Sequence, residues 1–365
     1  MNLKKDKWEV ALLGDICKLE YGNNLTEKMR IGGDIPVYGS AGVVGYHNES
    51  LTKSPTLIIG RKGSVGNVFY SSVPCFPIDT TFYVEEKACL EDLEWIKLFL
   101  TYYDLRKLNM ATAVPGLSRN IANLIEVPIP PPDIKKSISS IFKSIEAVIV
   151  LLESQVGNIE SLLKTLVNGL LESKPNFGTL IKEKNLIGTK FGELVECIEK
   201  HDKEKKDITR FVGLENIEAR NLKIGTWGNI SNGTTFTKRF NTGDVLFGKR
   251  RSYLKKVAVA DFDGICSGDI LVFRAKEGKI LPGLLPYYVA SDAFMQHAVT
   301  TSAGSLSPRT KWKDLKEFMI SIPDLQAQSK VLVVLNHTQT VLNLIKGQKG
   351  ILQTLKQNLL NEIFS

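Results

Sequence analysis

The feature that most constrains the fold of this chain is an internal repeat with a period of about 190 residues. Several short elements return in the same order in the second half. They are Leu13-Gly14-Asp15-Ile16 and Phe191-Gly192-Glu193-Leu194, Gly60-Arg61-Lys62 and Gly248-Lys249-Arg250, Leu117-Ser118 and Leu306-Ser307, the nearby Arg119 and Arg309, and Ile129-Pro130 and Ile322-Pro323. One such match would mean little. Their shared order predicts two copies of one unit, each a globular domain followed by a helix.

Each copy ends in a long stretch of heptad-spaced residues. In the first copy two rows are wholly apolar: Ile138, Ile145, Leu152, Ile159, Leu166 and Phe142, Ile149, Val156, Leu163, Leu170. In the second copy the matching rows are less regular: Val331, Thr338, Ile345, Leu352, Leu359 and Leu335, Leu342, Lys349, Lys356, Ile363. Such rows form the seam of a coiled coil, and a helix from 138 to 170 extends about 50 Å. Because one amphipathic helix cannot bury its own seam, we expect the two helices to pack together and to leave apolar surface for the helices of a partner.

Proline interrupts these patterns at the domain boundaries. Pro130-Pro131-Pro132 and Lys174-Pro175 cannot continue a helix, which places boundaries near 130, 175 and 323. Short apolar runs with glycine and proline turns, typical of strands, occupy 35–85 and 211–274, and helical character occurs at 91–108 and 284–299. The predicted class is α+β, with β-rich globular domains at 1–130 and 175–322 and long helices at 131–174 and 323–365.

The composition is that of an ordinary globular protein with a positive charge. The chain has 365 residues, with 47 Lys and Arg against 39 Asp and Glu, a formal charge of +8 and a pI near 9.0. This balance favours an anionic partner. The amino terminus is charged where a signal peptide would be apolar, and no apolar run is long enough for a membrane helix. We therefore expect a cytoplasmic protein without a membrane partner.

Cysteine and histidine spacing predicts neither a disulfide framework nor a metal site. The cysteines, odd in number and without a C-x-x-C pair, are Cys17, Cys75, Cys89, Cys197 and Cys266. The four histidines lie far apart in sequence and form no H-E-x-x-H motif. We therefore expect reduced cysteines, and no metal or cofactor held by this chain.

The sequence contains no P-loop, no dinucleotide-binding glycine motif, no amino-methyltransferase motif and no nucleophile elbow. One enzymatic alternative stays open. Asp79, Glu85 and Lys87 loosely match the Asp…Glu-x-Lys set of metal-dependent nucleases, in which two carboxylates hold a divalent ion and the lysine assists the attacking water. A fainter second copy is Asp269 with Glu277 and Lys279. Because such triplets are common in charged loops, a solvated strand end is the simpler interpretation.

Basic loops occupy matching places in the two copies. Residues 60–67 have the sequence GRKGSVGN and residues 248–256 have GKRRSYLKK, and polar loops with an arginine follow at 111–120 and 301–309. Glycines let a backbone approach a phosphodiester closely. Arginine suits bidentate contacts with guanine, and both cations suit phosphates. The recurrence favours nucleic-acid binding over solvated turns, and a helical scaffold without a DNA role is a further alternative.

The sequence resembles the specificity (S, HsdS) subunit of type I restriction-modification enzymes. The residues that carry the resemblance are Ile35-Pro36-Val37-Tyr38-Gly39-Ser40 with Gly45-Tyr46-His47-Asn48, Gly60-Arg61-Lys62-Gly63-Ser64-Val65-Gly66, Val114-Pro115-Gly116-Leu117-Ser118-Arg119, Ile129-Pro130-Pro131-Pro132, and Leu163-Lys164-Thr165-Leu166-Val167-Asn168-Gly169-Leu170-Leu171. The resemblance covers essentially the whole chain and is stronger in the first copy. The second hinge, Ile322-Pro323-Asp324, has one proline where the first has three.

The resemblance implies a subunit that performs no chemistry itself. It implies two target recognition domains held apart by two long antiparallel coiled-coil helices with a pseudo-two-fold relation. Each domain would recognise its own half of a bipartite, asymmetric target in double-stranded DNA. Two modification (methyltransferase) subunits would bind the helices and bring restriction subunits with an ATP-dependent nuclease. S-adenosylmethionine, ATP and Mg²⁺ would belong to those partner subunits.

The expected DNA contacts come from these motifs and from the basic loops. In the first copy they are Tyr38, Ser40, His47, Asn48, Arg61, Lys62, Ser64, Asn67, Ser118 and Arg119. In the second copy they are Lys249, Arg250, Arg251, Tyr253, Lys255, Ser305, Ser307 and Arg309. The expected helix-packing and partner-binding residues come from the heptad rows and are Ile138, Phe142, Ile145, Ile149, Leu152, Ile159, Leu163, Leu166, Leu335, Leu342, Ile345, Leu352 and Leu359.

Overall fold

A computed structural model describes residues 5–53, 55–108, 116–170 and 186–365. The chain divides into two compact units, which are Met1–Glu153 with Gly347–Ser365, and Ser154–Lys346. These divisions fall inside the long helices, which the sequence prediction with boundaries near 130, 175 and 323 treats as segments of their own. The reason is packing: Phe142 and Leu360 lie in the core of the first unit, and Val167 and Leu335 lie in the core of the second.

The first unit is built from short strands, short helices and parts of both long helices. Its strands are β1 Glu9–Leu12, β2 Glu20–Tyr21, β3 Ile35–Gly39, β4 Gly42–His47, β5 Thr56–Gly60, β6 Val68–Ser71, β7 Phe76–Pro77, β8 Thr81–Glu85 and β9 Glu126–Ile129. Its helices are α1 Leu13–Ile16, α2 Leu93–Tyr103, α3 Arg119–Asn123 and the first part of α4 Pro132–Gly169.

The second unit repeats this order. Its strands are β10 Ile187–Lys190, β11 Val195–Ile198, β12 Arg210–Val212, β13 Gly228–Asn229, β14 Lys238–Phe240, β15 Val245–Gly248, β16 Val257–Val259, β17 Gly264–Cys266, β18 Ile270–Ala275 and β19 Met319–Ile322. Its helices are α5 Phe191–Leu194, α6 Leu285–Ala290, α7 Asp292–Thr300, α8 Trp312–Leu315 and the first part of α9 Leu325–Phe364.

The sheets have corresponding strand orders in the two units. Order β2-β8-β5-β6 in the first unit corresponds to β11-β18-β15-β16 in the second, and the pair β1-β9 corresponds to β10-β19. A third sheet contains β4-β3-β7 in the first unit and β13-β12-β17-β14 in the second. In each, a parallel pair (β3 with β7, β12 with β17) adjoins an antiparallel one. The predicted α+β class and the internal repeat are confirmed.

One glycine in each unit explains the first repeated element. A Cβ at Gly14 would lie 2.7 Å from Cβ of Asn123, and a Cβ at Gly192 would lie 2.8 Å from Cβ of Lys316. Neither distance is compatible with a side chain, so helices α1 and α5 need glycine where the chain returns against them.

The structure corrects the register of a later element. The carbonyl oxygen of Arg61 accepts a hydrogen bond from Leu117 N at 2.9 Å, and that of Lys249 accepts one from Thr310 N at 3.1 Å. The counterpart of Leu117 is therefore Thr310, and the sequence match with Leu306 was wrong. The second copy has extra residues between Gly248 and Tyr287, and they shift the apparent alignment.

The long helices run antiparallel in each unit. In the first unit Glu146 of α4 pairs with Lys356 of α9 at 2.5 Å, and Glu153 pairs with Lys349 at 2.9 Å. As the residue number rises from 146 to 153 along α4, the number of its partner falls from 356 to 349 along α9, so the two helices are antiparallel. The two lysines occupy seam positions, and their partners on α4 explain why the second heptad row tolerates charge. In the second unit the helices are joined by Lys346 and Glu160 at 2.7 Å.

The apolar seam positions of both helices are buried or half-buried. The buried ones are Ile138, Phe142, Leu152, Leu170, Val331, Leu335, Leu342 and Ile363. The half-buried ones are Ile145, Ile149, Val156, Ile159, Leu163, Leu166, Ile345, Leu352 and Leu359. Helix α4 begins at Pro132, the last residue of the predicted hinge, because proline is tolerated in the first turn of a helix. The predicted exit at Lys174-Pro175 lies outside the described residues.

One expectation about the cysteines is wrong, because Cys17 and Cys89 form a disulfide. They face each other on adjacent extended segments with Cα atoms 4.3 Å apart, and 72 positions separate them in sequence. Spacing along the chain cannot reveal such a pair. Cys75, Cys197 and Cys266 are free, and burial raises the pKa of Cys266 to about 12.

Within the described residues, we find no helix with the length and apolar character that crossing a bilayer requires.

Candidate nucleic-acid interface

The basic loop of the first unit connects β5 to β6. It leaves the sheet at Gly60, and Gly63 and Gly66 take positive φ values of 74° and 84°, a conformation that favours glycine. Gly60 N donates to Asn67 O at 2.8 Å, which closes the loop into a tight turn. Lys62 forms a bridge with Gly116 and so brings the segment before α3 alongside the loop. The polar residues 111–115 of that second segment lie outside the described residues.

Two arginines of this surface share one aromatic ring. The guanidinium carbon of Arg61 lies 4.8 Å from the ring centroid of Tyr21, and that of Arg119 lies 4.9 Å from it. Arg61 also donates from Nη1 to the carbonyl oxygen of Asp79 at 3.0 Å. Cation–π contacts orient a guanidinium without neutralising it. In the described part of the chain neither arginine pairs with a carboxylate, so both keep their charge for an anionic ligand.

Ser40 links the end of β3 to the basic loop. Its Oγ accepts from Ser64 N at 3.3 Å, and its carbonyl oxygen accepts from Asn67 Nδ2 at 3.1 Å. Together with Arg61 and Lys62, these residues form one continuous polar surface. Of these residues Lys62, Ser64 and Asn67 are exposed, and the predicted contact Ser118, just before α3, is exposed as well.

The other predicted residues of the first unit lie apart from this surface or beneath it. His47 is buried, accepts a hydrogen bond from Ile31 N at 3.0 Å and packs its ring against Phe76. It pairs with Ile35, at the opposite end of β3 from Ser40. Asn48 follows it and is exposed, and Tyr38 is half-buried beside Phe69. The structure therefore does not bring His47 and Asn48 to the basic loop.

The basic loop of the second unit has the same backbone design with different side chains. Gly248 N donates to Lys256 O at 3.0 Å, as Gly60 N does to Asn67 O in the first unit. The left-handed positions are here Arg251 and Lys255, with φ values of 53° and 51°. A non-glycine residue in this region costs about 1–2 kcal/mol. Arg251 and Tyr253 are exposed at the tip.

A carboxylate joins the basic loop of the second unit to the segment before α8. Arg309 donates from Nε and Nη2 to the two carboxylate oxygens of Asp269 at 2.7 and 3.2 Å. Arg250 donates from Nη1 to Asp269 at 3.4 Å and from Nε to Ser307 Oγ at 3.0 Å. The hydrogen bond from Arg309, more than any other contact, holds the pKa of Asp269 below its ordinary value. Ser305 is exposed on the same segment.

Lys255 is held by a second carboxylate. Its Nζ lies 2.5 Å from Asp292 Oδ1, and Lys164 of α4 lies 3.2 Å from the other oxygen. The hydrogen bond from Lys255 is the main reason that the pKa of Asp292 falls well below its ordinary value. Lys249 is half-buried and fixed through its backbone, since its N donates to Asp269 O at 3.0 Å. Of the five cations in this loop, Arg251 is the most open to a ligand.

Sequence reasoning missed two residues that position the arginines. Tyr21 gave no signal, because a ring that orients an arginine 40 positions away is not marked by any local pattern. In the sequence, Asp269 stands out only as a member of the fainter nuclease triplet. An acidic residue at a strand end between two arginine-containing loops is the signal that would have found it.

The nuclease alternative has no support. Glu85 accepts a hydrogen bond from Lys53 N at 2.9 Å and lies 3.6 Å from Lys87. The backbone carbonyl oxygen of Asp79 accepts a hydrogen bond from Arg61. Among the described residues, no three metal-ligating side chains come together.

Comparison with known families decides the class of the protein. The model of the type I restriction modification DNA specificity domain matches residues 5–161 and 190–357, once for each copy of the repeat. The chain belongs to this family. Specificity subunits of type I systems are non-catalytic DNA-recognition subunits without a cofactor of their own, and this specificity subunit is therefore a DNA-binding part of a restriction-modification complex.

Individual relatives agree over nearly the full length. The type I restriction enzyme EcoDI specificity subunit of Escherichia coli is 22% identical in an alignment 361 residues long, and the match covers 89% of this chain and 80% of that protein. The S subunit of a type I restriction-modification system from M. genitalium matches with a TM-score of 0.69 and 13% identity, over 98% of this chain and 96% of that one. A chain solved in work on complex assembly and conformational transition of the type I R-M system matches with a TM-score of 0.54 and 13% identity, over 97% of each. At these identities the two structures show the fold alone.

Proposed function

We propose that each globular domain of this specificity subunit recognises one half of a bipartite, asymmetric target in duplex DNA. The observation that carries the proposal is the loop between matching strands of the two units. Its backbone closes in the same way after Gly60 and after Gly248, but the side chains that it presents differ. Equal scaffolds with different side chains favour two half-sites of different sequence.

The chemistry of the loops suits both parts of DNA recognition. Arg61 and Arg119 in the first domain, and Arg250 and Arg309 in the second, are held at their guanidinium groups, which favours bidentate contacts with guanine in the major groove. Exposed Lys62 and Arg251 suit phosphates, whose neutralisation makes binding fall steeply with salt.

The long helices are proposed to set the spacing between the half-sites and to bind two modification subunits. Exposed apolar side chains occur at the same positions in the two long helices, counted in residues from Ile138 in α4 and from Val331 in α9. The pairs Val148 and Val341, Leu151 and Leu344, and Leu162 and Leu355 are 44% to 64% exposed. Exposed apolar rows on a helix are typical of partner surfaces, and a row that repeats favours two copies of one partner. Methylation with S-adenosylmethionine, and the reactions that need ATP and Mg²⁺, would then take place on modification and restriction subunits.

Genome-wide methylation mapping in cells with and without this chain, beside its native modification partner, tests the proposal. We expect a bipartite methylated motif with two unlike halves that disappears when the chain is deleted. A single contiguous motif, or two identical halves, would contradict recognition by two different domains. If methylation is the same in both strains, the chain does not direct it.

A further inference from the structure

Asp269 is fixed in both its main chain and its side chain. It lies between β17 and β18, where its N donates to Ser267 Oγ at 3.2 Å and its carbonyl oxygen accepts from Lys249 N at 3.0 Å. Its carboxylate is 21% exposed and accepts from Arg309 and Arg250. A carboxylate held in this way acts as a rigid support for the guanidinium groups that it binds.

The donors that remain on Arg309 form a useful pair. A guanidinium carries five N–H groups. Nε and one N–H of Nη2 are used by Asp269, and one N–H of Nη1 points to Ser307 O at 3.4 Å. Nη1 and Nη2 each keep one N–H that no described residue uses. Adjacent donors on the two Nη atoms suit the O6 and N7 acceptors of guanine.

Arg250 is held in a similar but looser way. Its Nε donates to Ser307 Oγ and its Nη1 to Asp269, so three of its five N–H groups remain. One carboxylate therefore orients two arginines. The cluster of Asp269, Arg250 and Arg309 keeps a net positive charge, which attracts DNA.

The first unit has no carboxylate at the same place. Arg61 N donates to Thr80 O at 2.9 Å, as Lys249 N donates to Asp269 O, so Thr80 is the counterpart of Asp269. Its arginines contact the ring of Tyr21 instead. Among the described residues, the acidic support at this position occurs in the second domain and not in the first.

We infer that Asp269 is a specificity-determining residue, which positions Arg309 and Arg250 for guanine contacts in the half-site recognised by the second domain. The inference rests on the proposed function of the basic loops. A negative charge near DNA weakens the attraction for phosphate. The carboxylate of Asp269 nevertheless improves discrimination between bases. Guanidinium groups that are already oriented lose less entropy on binding the correct base, and they cannot turn to form hydrogen bonds with a wrong one.

The test is Asp269→Asn in the full chain, assembled with its native modification partner. Methylation mapping gives the recognised motif, and binding to a duplex of unrelated sequence gives the background affinity. We expect one or two positions in one half-site to become degenerate, with discrimination there falling about tenfold, while the other half-site is unchanged. Background affinity should stay equal or rise, because a negative charge is lost. A residue with a merely structural role would not produce that combination.

Matched variants make the outcomes distinct. Asp263→Asn changes another carboxylate of the same unit, which binds Thr242 N at 2.7 Å and Thr242 Oγ at 2.9 Å, and should leave the motif unchanged. Asp269→Glu keeps the charge and should restore part of the discrimination.

Two results would overturn the inference. One is an unchanged motif in Asp269→Asn when Arg309→Ala and Arg250→Ala alter it, which would leave the proposed function standing. The other is that Asp269→Asn loses methylation at every site and also loses binding to the duplex of unrelated sequence. If the two arginine variants also leave the motif unchanged, the proposed role of this loop fails as well.

Discussion

The carboxylate of Glu146 on α4 lies 2.5 Å from Nζ of Lys97 on α2, and so connects the long helix to the globular domain of the first unit. Its other oxygen lies 2.5 Å from Lys356 of α9. Beside it, Lys143 pairs with Glu94 at 3.2 Å. These ion pairs accompany the apolar cluster that contains Phe142, Trp95 and Phe99.

The matching contact between α9 and α6 in the second unit is uncharged. Tyr287 OH donates to Asn336 Oδ1 at 3.3 Å, where the first unit has Glu94 and Lys143. The counterpart of Glu146 is Gln339, which lines a cavity of about 400 Å³ with Asn336 and Tyr287. The two domains are attached to the same helices by different interactions.

Glu146→Gln should destabilise the first unit by about 1–2 kcal/mol, because both lysines lose a charged acceptor in a half-buried site. Burial alone would raise the pKa of Glu146, but hydrogen bonds from Lys356 and Lys97 bring it below its ordinary value of 4.5. The stabilisation is therefore complete above pH 4.5 and disappears as the pH falls through the lowered pKa.

Hydrogen exchange of α2 and α4 at pH 7 and at pH 3 measures this effect. Gln339→Ala is the matched control in the second unit and should leave α2 protected. Equal exchange of α2 in Glu146→Gln and in the unaltered chain at pH 7 would show that the pair contributes nothing.

Lys62→Ala should weaken DNA binding to the same extent on all sequences, because an exposed lysine suits a phosphate and not a base edge. The slope of log affinity against log salt should fall by about 1. Titration of the assembled complex with target and unrelated duplexes at several salt concentrations measures both. Lys87→Ala removes another exposed lysine, one paired with Glu85, and should change neither quantity. A change of sequence preference in Lys62→Ala would assign this residue to base contacts instead.

Leu344→Asp should reduce the number of bound modification subunits from two to one, because it places a charge on one of two equivalent apolar surfaces. Leu151→Asp should do the same at the other surface, and the double variant should bind none. Native mass spectrometry of the co-expressed complex counts the subunits. Gln353→Asp, at an exposed polar position of α9, is the control. Full occupancy in the double variant would place the partner elsewhere.

Four residues inserted into both α4 and α9 should lengthen the preferred DNA spacer and leave both half-sites unchanged. The insertion adds about 6 Å and roughly one turn to each helix, so the apolar seams keep their facing. Methylation mapping reports spacer and half-sites together. An insertion in α4 alone is the control, since it would misalign pairs such as Glu153 with Lys349. Altered half-site sequences in the double insertion would contradict a spacer role for the helices.

Local patterns in the sequence predicted the elements that depend on short-range physics. The heptad rows predicted two long helices, and Gly14 and Gly192 appeared in a repeated motif because a returning chain packs against both. The basic loops could be placed at strand ends because Gly60 and Gly248 follow runs of apolar residues.

What the sequence could not predict depends on pairs that only folding brings together. Tyr21 meets Arg61 and Arg119 across the sheet, and Cys17 meets Cys89 on a neighbouring segment. The match of Leu306 with Leu117 was wrong because identity over two residues cannot locate an insertion, whereas one backbone hydrogen bond from Thr310 does.

The central claim, that each domain recognises its own half of the target, is tested most directly by methylation mapping of Arg61→Ala and Arg309→Ala in parallel. Both arginines lie on the proposed interface, one in each unit. We predict that each variant relaxes recognition in one half of the motif only, and that the two variants affect different halves. Changes at the same positions in both variants, or an unaltered motif in both, would contradict the account.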